Sequence, residues 1–441
     1  MAPSNNTPNP AEGPKPLKIL TIDGGGLQAV STLLILNKVL ETIGKLHSDP
    51  PRKPKPCEVF DTIAGIGAGG WLAILLGRFR MDITTCLSEW YKITRHIEPR
   101  SRSKELRLRY IHQCYFDTER LIEEVDRLTR TYGTGDYLLE DDPEGARTRH
   151  VFVAALKADA KGYRLFRTYE TPRSAKLKER LLEGPADPKN YKISSAFGVT
   201  GAAKYFTKEW NEHMEHSGHT KFIDSKFPKP HNITELALDE MWAIYGTDVP
   251  LSVVVNIGPG LPNDVDVKQI ARRFSSWGLN LAGATPRKRA RLPAIEQEPA
   301  LRSQNNQTSV IQPDEVEQDV TKPSVRFPKA ANMPNTSEHK HSIKRIDTVG
   351  SLSGRNIDEK LKRCEDEIER DIKKKLNYVR PGSGNLYYRL ALPKAPQGTA
   401  RNDSSAAIVA HDATMDYLDR PAIDRTICEV AERIPKIASA A

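Results

Sequence analysis

Short runs of β-branched and leucine residues alternate with longer amphipathic stretches along the first 260 residues of the chain. The short runs have the length and composition of buried strands. They fall at 17–23, 59–65, 151–156, 221–224 and 251–257. The longer stretches repeat apolar residues at helical spacing. They fall at 31–46, 69–79, 83–97, 118–132, 175–183 and 234–245. Strands that alternate with helices predict an α/β fold, with a mostly parallel sheet flanked by helices.

The pattern changes at residue 284. From there to 353, Pro, Asn, Gln, Ser and Thr dominate, so the segment buries too little apolar surface to offset the entropy of ordering. We predict a disordered leader at 1–16, a domain at 17–283 and a disordered insertion at 284–353. Periodic elements then return, at 356–376, 386–392, 412–418 and 422–434. They are too small for a core of their own, so we expect residues 354–441 to complete the first domain.

Composition and apolar patterning predict the cellular compartment of the protein and the way in which it contacts membranes. The five cysteines are scattered, without the Cys-x-x-Cys pairs of zinc or redox sites, which favours a reducing compartment. The first sixteen residues lack the apolar core of a signal peptide, and no apolar run reaches the length of a membrane span. These features predict a protein of the cytosol or the nucleus that meets membranes at their surface.

The net charge of +9 favours anionic partners, either anionic membranes or nucleic acid. A basic cluster, Arg287–Arg291, lies inside the predicted insertion, where it fits a nuclear localisation signal, a contact with an anionic surface or a plain solvated charge run. Nucleic-acid binding rests on this cluster alone, because no recognisable nucleic-acid-binding fold accompanies it. The oligomeric state has no signature in the sequence.

The first predicted strand runs into Gly24, Gly25 and Gly26 and then into a helix. Such a loop turns tightly and aims backbone N–H groups at an anion, which serves phosphate binding or stabilisation of an oxyanion. The dinucleotide fingerprint G-x-G-x-x-G is broken at Ala29, and the Gly-Lys-Ser/Thr of a P-loop is missing. No other cofactor motif is present, so we expect no cofactor.

The second predicted strand ends in Gly65-Ile66-Gly67-Ala68-Gly69-Gly70 and opens an apolar helix. A strand, a sharp Gly-x-Ser-x-Gly turn and a helix form the nucleophile elbow of serine hydrolases. In this chain the central residue of that turn is Gly67, which carries no side chain.

In this order, Asp23-Gly24-Gly25-Gly26, the 65–70 turn and Asp224-Ser225-Lys226 resemble the motifs of the patatin-like phospholipases. The resemblance covers residues 17–262 well and the C-terminal pieces weakly. It implies a three-layer architecture of the patatin and FabD/lysophospholipase type. It also implies a Ser-Asp dyad with the base at Asp224 and the nucleophile position at Gly67. The oxyanion N–H groups would then belong to Gly24, Gly25 and Gly26.

Each motif departs from the family pattern. Gln28 and Ala29 stand where the family usually has Arg and Gly, and Ser225 and Lys226 replace two small residues after the aspartate. Loss of the nucleophilic hydroxyl removes the acyl-enzyme route, which lowers the rate by ~10⁶ in a well-studied serine hydrolase. Two functions stay open. The first is a non-hydrolytic lipid-binding or regulatory member of the family. The second is an acyl hydrolase that uses Asp224 with a displaced nucleophile or an activated water.

Two further groups of residues have alternative interpretations. The hydroxyls of Ser31, Thr62 and Thr200 lie near the motifs, and each is interpreted as a capping or packing group rather than a displaced nucleophile. His213, His216 and His219 recur at three-residue spacing, but no fourth ligand accompanies them. We therefore predict no metal site. The family resemblance implies a lipid or an acyl ester as the ligand.

The composition of residues 284–353 generates a test. Deleting them and joining the ends with a flexible linker should leave soluble expression and cooperative urea unfolding intact, because the segment contributes nothing to the core. Loss of either property would show that the predicted boundary is wrong.

Overall fold

A six-stranded mixed sheet forms the centre of the described part of the protein, in the order β4-β3-β2-β1-β7-β8. Neighbouring strands are parallel except for β3 and β4, which are antiparallel. The bounds are β1 Leu17–Ile22, β2 Thr62–Ile66, β3 His150–Leu156, β4 Tyr163–Arg167, β7 Leu251–Gly258 and β8 Tyr387–Ala391. A separate antiparallel hairpin pairs β5 (Trp210–Met214) with β6 (Gly218–Phe222). The predicted α/β class, with a mostly parallel sheet flanked by helices, is confirmed.

The structure is a computed structural model. It describes residues 15–48, 50–108, 114, 116–133, 135–139, 148, 150–158, 162–171, 180–202, 207–222, 233–260, 354–393 and 404–435. All of these residues belong to one compact unit. The helix bounds are α1 Ala29–His47, α2 Pro56–Val59, α3 Ala68–Ala73, α4 Ile83–His96, α5 Arg102–Arg107, α6 Thr118–Tyr132, α7 Ile193–Gly201, α8 Thr234–Tyr245, α9 Gly354–Val379, α10 Ser404–Leu418 and α11 Pro421–Glu432.

Central strand β1 is buried on both faces and divides the core in two. Leu20 and Ile22 point into a cluster shared with α1, α4, α6 and α11, whereas Ile19 points into a second cluster shared with α8 and α9. This alternation follows from the period of two in a strand, where successive side chains face opposite sides of the sheet. The arrangement is three layers, with helices on both faces of the sheet.

The C-terminal elements contribute to the same layers. Strand β8 adds to the sheet beside β7, and α10 and α11 pack on α1. Residues 261–353 lie outside the described residues, so the predicted insertion and the domain bounds stay predictions. None of the described helices is long and apolar enough to cross a membrane.

Several predicted boundaries need correction. Residues 56–59 form α2 because Pro56 occupies its first turn, and β2 begins only at Thr62 rather than at 59. The predicted helix at 175–183 falls partly outside the described residues, and residues 180–183 are not helical. The predicted helix at 69–79 begins as α3 and continues as a π-helix over Ile74–Arg78. Of the predicted strand at 221–224, residues 221 and 222 form the end of β6, and residues 223 and 224 lie outside the described residues.

The turn of the β5–β6 hairpin is held by one carboxylate. Glu183 accepts hydrogen bonds of 2.6 Å from the backbone N–H groups of His216 and Ser217, from the Ser217 hydroxyl and from Arg164 Nε. Burial acts to raise the pKa of Glu183, but these donors outweigh it and lower the pKa to about 2. The charged carboxylate therefore fixes the hairpin that leads into residues 223–232.

The hydrogen bonds to Glu183 predict a difference in stability that depends on pH. Glu183→Gln should lower the free energy of unfolding at pH 7 by about 1–3 kcal/mol, because charge-assisted hydrogen bonds are lost. A depressed carboxylate pKa stabilises the fold above the unfolded-state pKa, so the contribution fades as pH falls from about 4.5 toward 2. Urea unfolding of both proteins at pH 7 and pH 3 measures the difference.

The matched control is Glu170→Gln, which alters an exposed ion pair to Lys189 at 3.8 Å. It should change stability little at either pH. A Glu183→Gln difference that is equally large at pH 3 and pH 7 would contradict the assignment of the effect to the ionised carboxylate.

Candidate functional site

The chain makes a sharp strand-to-helix turn at Gly67. Its backbone has φ 59° and ψ −133°, a conformation that L side chains rarely adopt. The Gly67 carbonyl accepts the N–H groups of Gly70 at 2.9 Å and Trp71 at 3.3 Å, which starts α3 immediately after the turn. The backbone therefore passes from β2 into α3 through a one-residue turn whose tip is a glycine.

Two neighbouring glycines permit the close packing of this turn. A Cβ atom on Gly65 would lie 2.1 Å from the Gly69 carbonyl oxygen. A Cβ atom on Gly69 would lie 2.4 Å from the Ile22 carbonyl oxygen and 2.5 Å from that of Asp23. All three distances are far below contact distance, so α3 can approach the ends of β1 and β2 only with glycine at these positions.

Thr200 on α7 secures the turn from the other side. Its hydroxyl accepts the Gly67 N–H at 3.0 Å and donates to the Ala154 carbonyl at 2.8 Å. The side chain is almost fully buried, and a Cβ atom on Gly70 would lie 2.5 Å from its Oγ1. Thr200 therefore positions the turn, which agrees with its interpretation as a packing hydroxyl.

The two other hydroxyls considered from the sequence are also buried. Thr62 donates to the Met241 sulfur at 3.0 Å, and Ser31 is fully buried in the first turn of α1. The cysteines Cys57, Cys86 and Cys114 are buried too, and burial raises the pKa of each thiol. Among these groups none has the exposure or activation of a displaced nucleophile.

The glycine loop lies directly against the turn. A Cβ atom on Gly67 would lie 3.5 Å from the Gly24 Cα atom, which is ordinary van der Waals contact. Gly26 has φ 58° and begins the short 3₁₀ turn Gly26–Gln28 that leads into α1. Gly25 packs on Pro259, since an added Cβ atom would lie 2.0 Å from its Cγ. The structure thus brings the glycine loop and position 67 together at the carboxyl ends of the central strands β1 and β2.

Asp224 and the residues that follow it, Ser225 and Lys226, lie outside the described residues. The base role of Asp224 therefore stays a prediction, as do the oxyanion roles of Gly24, Gly25 and Gly26. The chain is described up to Phe222, which bridges to Lys157 just beyond the end of β3. Because β2 and β3 are parallel, Lys157 lies on the same side of the sheet as the carboxyl end of β2.

A polar cluster under the glycine loop was not expected from the sequence. Arg389 on β8 contacts Asp23 through an ion pair of 2.5 Å, and Asn256 on β7 donates to the same carboxylate at 3.0 Å. The alternation of residues 386–392 predicted the strand but did not single out Arg389. The signal that could have identified it is an arginine inside an otherwise apolar strand, because such a charge needs a buried partner.

The histidines before residue 223 belong to the β5–β6 hairpin. His213 and His219 are cross-strand partners whose ring centroids are 5.0 Å apart, and His216 lies in the connecting turn. Within the ranges that the structure describes, no group of three or more His, Cys, Asp or Glu side chains could hold a metal ion.

Comparison with known proteins finds short local similarities. No family model matches the chain. It is 40% identical over 77 residues to phospholipase A I of Arabidopsis thaliana and 36% identical over 76 residues to patatin-like phospholipase 1 of Plasmodium falciparum. It is also 35% identical over 86 residues to the calcium-independent phospholipase A2-gamma of Mus musculus. These matches cover 17%, 17% and 19% of this chain and only 5%, 11% and 10% of the relatives.

Two solved structures are similar at low scores. VipD from Legionella pneumophila has a TM-score of 0.24 and 11% identity, over 59% of this chain and 54% of its own. Human GIVD cytosolic phospholipase A2, in complex with a fluorophosphonate inhibitor, has a TM-score of 0.28 and 13% identity, over 62% and 45%. The sequence comparisons thus give the chain patatin-like phospholipase relatives over a partial region.

Proposed function

We propose that this protein is a non-hydrolytic patatin-like domain that binds a lipid or an acyl ester at the edge formed by the glycine loop and position 67. The observation that carries the proposal is the Gly67 turn, which keeps the backbone of a nucleophile elbow without a nucleophile. The names of the relatives, all phospholipases, support lipid as the ligand class. The role would be lipid sensing or regulation in lipid metabolism.

The backbone around position 67 supports binding without hydrolysis. The glycine loop lies beside position 67, since a Cβ atom added there would be 3.5 Å from the Gly24 Cα atom, and this proximity supports a role for the loop N–H groups as donors to an ester carbonyl. Covalent turnover needs a nucleophile, and its loss leaves only what the oxyanion donors and binding supply. The buried Thr200 hydroxyl is already committed to Gly67 and Ala154, so it does not replace a serine.

The charge of the chain supports contact with anionic membranes. A net charge of +9 attracts the protein to anionic headgroups, where a lipid ligand resides. We propose this as a peripheral contact of a protein in the cytosol or the nucleus.

The conformation of Gly67 predicts the effect of a side chain there on stability. Gly67→Ala should lower the free energy of unfolding by about 1–3 kcal/mol, because φ 59° and ψ −133° strain an L residue while the added Cβ atom meets only ordinary contact. Gly65→Ala should cost more, since its Cβ atom would clash with the Gly69 carbonyl.

The control is Gly133→Ala at the end of α6, where φ is 63° and no atom lies within 4 Å of the added Cβ. Its cost should be near 1 kcal/mol, the usual penalty for alanine in place of glycine in the left-handed region. Chemical unfolding of the three variants measures the order of their losses in the free energy of unfolding. A Gly67→Ala protein as stable as the wild type would show that the turn is not held in the described conformation.

Restoring a hydroxyl tests whether the scaffold can still support chemistry. Gly67→Ser should gain hydrolysis of a short-chain nitrophenyl ester and labelling by a fluorophosphonate probe, because nucleophile, base and oxyanion donors act as a unit. The wild type should show neither, but it should bind the fluorescent fatty acid cis-parinaric acid. Gly67→Ala is the matched control, since it introduces the strain without the hydroxyl.

Other outcomes separate the two functions. Activity only in Gly67→Ser combined with Ser225→Gly and Lys226→Gly would show that the site has diverged in more than one place. Robust esterase activity of the wild type, abolished by Asp224→Ala, would overturn the non-hydrolytic proposal in favour of an acyl hydrolase with a displaced nucleophile or an activated water. A wild type that neither hydrolyses esters nor binds the fatty acid would refute both.

A further inference from the structure

The carboxyl ends of β1, β7 and β8 share a buried polar cluster. Arg389 Nη1 lies 2.5 Å from Asp23 Oδ2 and also donates to Asn256 Oδ1. Asn256 Nδ2 donates to Asp23 Oδ1 at 3.0 Å and to Thr21 Oγ1 at 3.1 Å. Thr21 in turn contacts the hydroxyl of Thr234 at 2.8 Å. We define Asp23, Asn256 and Arg389 as the clamp.

The clamp lies almost entirely out of contact with solvent. The side chain of Asp23 is 5% exposed and that of Arg389 12%, while Asn256 is fully buried. A buried ion pair is tolerated when both charges are paired and their other hydrogen-bonding groups are satisfied. Removing one partner leaves an uncompensated buried charge, so the three residues form one interdependent unit.

The clamp acts next to the glycine loop. Asp23 is the residue before Gly24, and its N–H donates to the Ile257 carbonyl at 2.9 Å. A Cβ atom on Gly258 would lie 3.0 Å from Asp23 Oδ2 and 3.6 Å from Arg389 Nη2. The start of the loop is therefore fixed both by its backbone and by its side chain against the end of β7.

We propose that Arg389 is a positioning residue for the ligand site: through Asp23 it fixes the direction in which the N–H groups of Gly24, Gly25 and Gly26 point. The preorganised direction of backbone donors determines how well they meet a carbonyl or an anion. The C-terminal strand β8 is thus part of the site, although it follows the glycine loop by more than 350 residues. The effect on ligand affinity rests on the proposed function, whereas the effect on the loop does not.

The test compares the full-length wild type with three single variants, Arg389→Met, Arg389→Lys and Asp23→Asn. It also includes the double variant that combines Asp23→Asn with Arg389→Met. Hydrogen exchange of peptides covering residues 17–30 reports the loop, urea unfolding reports the fold, and cis-parinaric acid fluorescence reports affinity. Arg433→Met is the matched control, because Arg433 contacts Tyr388 on the same strand but not the clamp.

Arg389→Met should speed exchange of the loop amides roughly tenfold and lower stability, because Asp23 loses its cationic partner and keeps only the hydrogen bond from Asn256. The double variant removes both charges and should regain stability, yet its loop should keep fast exchange and its affinity should stay roughly tenfold weaker, because the donors are no longer held. Arg389→Lys should restore part of the loop protection, and Arg433→Met should leave the loop unchanged.

A double variant whose loop protection and affinity both return with stability would overturn the proposal, since the clamp would then be merely structural. Unchanged loop exchange in Arg389→Met would overturn it as well. If the wild type does not bind the fatty acid, the proposed function fails, while faster loop exchange in the double variant still supports the role of Arg389 in positioning the loop.

Discussion

The close approach of α3 to the ends of β1 and β2 is the constraint on which the rest of the site depends. Two backbones meet there at distances that leave no room for a Cβ atom at positions 65 and 69. The turn between them must reverse the chain within one residue, which requires the positive φ of Gly67. Thr200 can then bind the turn, and the glycine loop can lie against it. Each contact follows from the close packing of glycine backbone at the carboxyl ends of β1 and β2.

The second requirement is that polar groups buried at the same edge find partners. Asp23 carries a charge next to a loop of three glycines, and a buried carboxylate without a partner is costly. Its partners come from β7 and β8, so the sheet order and the loop depend on the same three side chains. This explains why an arginine interrupts the apolar sequence of β8.

Sequence periodicity identified the helices and strands whose buried apolar residues recur at regular spacing. The bounds of α6 and α8 were predicted at both ends, because their apolar faces repeat at helical spacing and Asp117 caps the first. Strand β4 was missed because its sequence, YRLFR, is short and carries two arginines, although its last three residues are buried. Helix α7 was missed because ISSAFGVTG has low helix propensity, and burial against α3 and α6 overrides it.

For the site, the motif order predicted that the glycine loop and position 67 would meet, because both follow neighbouring parallel strands. The loop does lie beside position 67, where an added Cβ atom would be 3.5 Å from the Gly24 Cα atom, whereas the predicted proximity of Asp224 concerns a residue outside the described ranges. The hydroxyl of Thr200 and the side chain of Arg389 could not be assigned in the same way. Their roles depend on which atoms tertiary packing brings within hydrogen-bond distance, across 133 and 366 residues of sequence.

The length of chain between Asp23 and Arg389 has a consequence for biosynthesis. At roughly 5–20 residues per second, the ribosome needs roughly 20–70 s to add the 366 residues that separate them. Throughout that interval the carboxylate of Asp23 lacks its cation, and once β7 has been made its edge lacks the neighbouring strand β8. An open strand edge is a template for pairing with other chains. The nascent chain therefore leaves this strand edge unpaired by its native neighbour until β8 is made and docks.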